Sequence, residues 1–138
     1  MTEAPPSAPT TRRPAGPLAV VYRAVLTVFL LAGAVQIFLA GWGAFRHGFG
    51  AHELLGFGMG GLSVVILLLA VLARVGTRDV VLAVVRVALT GGAQSALASA
   101  GGKVAFWGGL HALDGLVVLG IAGFLHAAAI RRGRATAA

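Results

Sequence analysis

The chain has 138 residues, of which 58% are hydrophobic and 11% charged, with a net charge of +7 and a mean hydropathy of +0.92. About a quarter of a soluble domain's residues are charged, so this composition argues against a soluble globule and suits a surface that faces lipid. The cations cap apolar runs instead of clustering among aromatics, which argues against nucleic acid, and the lack of cysteine removes disulfides and thiolate metal sites.

Residues 1–17 hold all five prolines and no apolar periodicity, the pattern of a disordered tail. Arg12 and Arg13 precede an apolar run, as in an export signal. Pro14 and Pro17 intervene, however, and the run is far longer than the ~7–15-residue core of a signal peptide, so a retained first helix is expected over about 22–45. Its segment Ala24–Phe45 carries no charge and can cross about 30 Å of hydrocarbon. A second span is expected over 50–73. A third, over 80–102, is interrupted by Arg86, which is expected to snorkel to the headgroups. A fourth, over 104–130, contains His111, Asp114 and His126, and residues 131–138 read as a basic tail. Short connections make sequential helices antiparallel neighbours. The fold class is all-α: an integral membrane four-helix bundle in residues 18–130, built as two tandem helical hairpins.

Arginine sets the orientation. Arg12, Arg13, Arg23, Arg74, Arg78, Arg131, Arg132 and Arg134 fall on one side and Arg46 and Lys103 on the other. The excess side faces the cytoplasm, which places both termini there in a plasma-membrane protein. Trp42 and Trp107 then mark the outer interface and Tyr22 the inner one. Many glycines lie inside the spans, including Gly56, Gly58, Gly60 and Gly61 in the second, where small residues are expected to let helices approach.

The two halves share a pattern. Gln36-Ile-Phe-Leu-Ala40 precedes His52-Glu-Leu-Leu-Gly56, and Gln94-Ser-Ala-Leu-Ala98 precedes His111-Ala-Leu-Asp-Gly115. The only two glutamines stand 58 residues apart and the histidines 59. Two helices per repeat keep the halves in one orientation, related by an axis along the membrane normal. If helices 2 and 4 face each other, His52 and His111 meet at similar depth, each followed one turn later by a glycine that leaves room for a flat ligand.

Ionisable residues inside a membrane are costly and therefore point to function. One reading is a bis-histidine haem b electron-transfer protein, with His52 and His111 as axial ligands. Gln36, Gln94 and Asp114 would support the imidazoles, and Arg46 and Lys103 would meet the propionates. The alternative is a cofactor-free structural or partner-binding membrane protein, in which these groups are interhelical hydrogen bonders. A small transporter is a third reading, weakened by the lack of any broken span. His126 has no counterpart in the second span, which argues against a second symmetric haem, and no catalytic constellation is present. Partners follow from the reading: the bilayer, then a membrane redox partner or a second copy of the chain.

Gln36-Ile-Phe-Leu-Ala-Gly41, the His52–Gly56 pattern and Leu110-His-Ala-Leu-Asp-Gly115 resemble an uncharacterised family of small bacterial four-helix membrane proteins, a domain of unknown function, over about residues 20–130. More distantly, the paired HxxxG helices resemble four-helix membrane haem proteins such as haem A synthase and the cytochrome b type. The lack of a helix-2 partner for His126 departs from the multi-haem members, so their chemistry is not carried over.

Overall fold

The computed structural model describes residues 16–137, excepting the side chains of residues 46, 47, 136 and 137. The expected N-terminal tail up to position 15 lies outside the described residues, as do the Arg46 and His47 side chains.

Helix α1 (Pro17–Trp42) opens with proline at its first position, where the fixed φ suits a helix and the missing N–H is not needed. It widens into a π-helical turn over Gly43–His47 and ends at Gly48, whose φ is 68°. Helix α2 (Gly50–Leu72) stops at Arg74, where the Val75 amide donates to the Ala70 carbonyl and the Arg74 amide to Val71. This is a Schellman termination with arginine in the left-handed position that favours glycine. Helix α3 (Thr77–Val87) runs through a π-helical stretch, Ala88–Ala93, into α4 (Gln94–Gly101), and the three form one rod. Helix α5 (Ala105–Ala137) is the last. It absorbs the segment expected as a tail from 131, because alanine and arginine favour helix and Arg132 is tied to Asp79 at 2.7 Å.

The four rods are all long and apolar enough to cross a membrane. The first rod packs against α2 and α5, α2 packs against α3, and α4 packs against α5. The rods therefore form a ring in chain order, an all-α four-helix bundle in which α2 and α5 lie diagonally. Large apolar side chains project outward all round, among them Phe38, Phe45, Leu54, Phe57 and Phe106. A soluble monomer rarely exposes so continuous an apolar surface.

Packing is uneven along the axis. Tyr22, Leu26 and Phe29 of α1, Ile66 and Ala70 of α2, Ala83 of α3, and Ala122 and Leu125 of α5 belong to the hydrophobic core. All lie in the half of the bundle that carries the termini, called here the terminal half. In the opposite half, residues 36–58 and 88–115, Gly43 is the one buried residue among those described. The close helix crossings are also not those expected. A Cβ on Gly33 would collide with Leu119, and one on Gly101 would lie 2.8 Å from the Gly108 backbone, whereas Gly58, Gly60 and Gly61 have open space around them. Those three glycines face away from the bundle contacts, so they do not bring helices together.

Candidate functional site

The loosely packed half holds both glutamine–histidine pairs. Gln36 Nε2 donates to the His52 carbonyl at 2.8 Å, and His52 Nδ1 meets the Gln36 carbonyl at 3.1 Å. The second hairpin repeats this: Gln94 Nε2 donates to the His111 carbonyl at 2.8 Å, and His111 Nδ1 meets the Gln94 carbonyl at 3.1 Å. A carbonyl only accepts, so Nδ1 carries the hydrogen in both rings and Nε2 presents its lone pair. Each clamp ties a helix to its successor, α1 to α2 and α4 to α5.

Helix geometry aims these residues. Gln94 begins α4 directly after the π-helical stretch. A straight α-helix would rotate Gln94 about 80° away from Arg86; the extra residue per turn of a π-helix brings it back toward the bundle interior. Gly56 and Gly115 serve the clamps. A Cβ on Gly56 would lie 3.1 Å from Gln36 Nε2, and one on Gly115 3.6 Å from Gln94 Nε2. The room those glycines leave is filled by the glutamine amide, where the sequence suggested a flat ligand.

The clamps bring the two rings together. The His52 and His111 centroids are 6.0 Å apart, with ring planes at 66°, and both residues are half-buried. Phe49 stands edge-on to His52 at 6.1 Å. Asp114 does not touch the His111 ring; its Oδ2 accepts from Gln94 Nε2 at 2.8 Å. The first hairpin has no such carboxylate, and Gln36 Oε1 is buried without a protein partner. Lys103 is exposed on the connection next to this half. His126 lies in the other half, with Nε2 2.9 Å from Thr27 Oγ1; that hydroxyl donates to the Arg23 carbonyl and so accepts from the ring.

Among the described residues no three His, Cys, Asp or Glu side chains gather as a metal site. The histidine pair offers two nitrogen ligands. Arg86, expected to snorkel, is instead fully buried with its guanidinium over the Phe29 ring. The signal was available: Asp79, Ala83 and Arg86 follow the i, i+4, i+7 spacing of one buried helix stripe.

No family model, curated protein or solved structure matches this chain.

Proposed function

We propose that this chain is an integral membrane protein, its termini in the cytoplasm, in which the two glutamine–histidine clamps are interhelical fasteners of a cofactor-free structural or partner-binding bundle. The observation that supports this most is that each clamp closes within the protein: each glutamine Nε2 donates to a histidine carbonyl, and each histidine Nδ1 meets a glutamine carbonyl. Among the described residues no three-ligand metal cluster accompanies them. Polar bonds of this kind hold neighbouring helices together in lipid.

A second reading is a haem b electron-transfer protein, supported by the ring pair: two imidazoles with centroids 6.0 Å apart, each with Nδ1 engaged by a backbone carbonyl. His52 and His111 would hold the haem through Nε2, and the group would supply a one-electron couple. Each glutamine would fix its histidine's backbone and each carbonyl the ring tautomer, with Lys103 and Arg46 as cation partners for the propionates. A membrane redox protein is the partner this second reading calls for.

Expression with haem supplied and purification in mild detergent separates the two. Haem binding predicts a reducible Soret band that disappears in both His52→Ala and His111→Ala. A colourless, well-folded protein would sink the haem reading and leave the fastener.

A further inference from the structure

A second polar group lies in the terminal half, apart from the histidine pair. Arg86 is fully buried, with its Cζ 4.5 Å from the centroid of the Phe29 ring and Nη2 donating to the Ser63 carbonyl at 3.2 Å. Its Nε and Nη1 have no protein acceptor. The buried Ser63 Oγ, Tyr22 hydroxyl and Arg132 Nη2 also lack partners. Tyr22 lies on the buried stripe of α1 that includes Phe29, and its hydroxyl is within electrostatic reach of Asp79, Arg132 and Arg86.

The charges do not balance. Asp79 is the one buried carboxylate among the described residues, and both its oxygens are taken, by Arg78 and by Arg132. Arg86 keeps an uncompensated positive charge among apolar side chains, and one carbonyl does not offset the loss of its hydration. The atoms without partners are two guanidinium nitrogens of Arg86, one of Arg132 and two hydroxyls. All five can donate, and the guanidinium nitrogens can do nothing else.

We propose that Arg86 holds a small monovalent anion of the halide class, with the Tyr22 and Ser63 hydroxyls as further donors. One unpaired charge calls for one negative charge, and a spherical acceptor imposes no direction on mixed N–H and O–H donors. Complete burial of Arg86 keeps out a lipid phosphate or a large organic anion. Water would satisfy the donors but leave the charge. The site is independent of any group between the histidines.

The test uses the full chain in detergent, exchanged into sodium gluconate and titrated with sodium bromide at constant ionic strength while the unfolding midpoint is followed. A saturable rise, reproduced by chloride, is expected. Half-saturation should weaken about tenfold in Tyr22→Phe or Ser63→Ala, and the response should vanish in Arg86→Met. The unaltered protein is decisive even if Arg86→Met does not fold, because crystals grown in bromide should show anomalous scattering beside Arg86. A midpoint indifferent to bromide, a response that survives Arg86→Met, or water alone at Arg86 overturns the proposal.

Discussion

Gln94 and His111 hold each other at both ends: the Gln94 amide donates to the His111 carbonyl at 2.8 Å, and the His111 ring donates to the Gln94 carbonyl at 3.1 Å. Gln36 and His52 repeat the arrangement at the same two distances. The second clamp carries one extra bond, from Gln94 to Asp114. Replacing Gln36 or Gln94 with leucine should therefore destabilise unequally. Each loses an interhelical bond, about 0.6–2 kcal/mol, and Gln94→Leu also strips Asp114 of its donor. Unfolding in mixed micelles should rank Gln94→Leu below Gln36→Leu, and equal losses would mean that Asp114 contributes nothing.

The histidines make a sharper prediction for the haem reading. If both rings ligate iron, His52→Gly and His111→Gly should each lose the paired-imidazole spectrum, and added free imidazole should restore it in both. Rescue needs the vacated ligand position and nothing else, so a general loss of folding would not respond. Restoration in one variant only would show that one ring is a packing residue.

The four long helices were legible because uncharged stretches of this length have few other uses, and the pairing of glutamine with histidine in each half because glutamine is so scarce that its spacing stands out. What bonds to what was not legible. Both histidine rings use backbone carbonyls, which every residue carries. Arg86 was misjudged because hydropathy assigns an intramembrane arginine to the nearest interface, while only its place on the Asp79–Ala83 stripe shows that it faces the core. The π-helical stretch that re-aims Gln94 has no side-chain signature at all.

Glycine positions separate crossings from ornament. Gly101 sits against the backbone of Gly108, 2.8 Å from where its Cβ would be, and backbone cannot rotate away. Gly101→Ala should cost about 1–3 kcal/mol by overpacking. Gly33→Ala should cost less, because the atoms it meets are the end of the Leu119 side chain. Gly58→Ala, in open space, should be neutral or stabilising by up to about 1 kcal/mol, since alanine favours helix. Thermal unfolding of the three variants checks the order, and a costly Gly58→Ala would mean that this face packs against another copy.

Asp79 ties the last helix to the third rod. Its carboxylate is 2% exposed and meets Arg132 at 2.7 Å and Arg78 at 3.0 Å, but those partners are 40% and 67% exposed. Removing one member of a fully buried pair costs about 3–5 kcal/mol because the other charge is stranded. Arg132 can turn part of its guanidinium to water, so Asp79→Ala should cost less, about 2–3 kcal/mol. The two arginines should differ when each is removed with Asp79 in a double-mutant cycle. Coupling to Arg132 should exceed about 1 kcal/mol, since its Nη2 is buried, while coupling to Arg78 should fall to the ~0.2–1 kcal/mol of exposed pairs. The reverse ranking would place the anchor of the bundle's terminal end within the first turn of α3 and free the last two turns of α5 to fray.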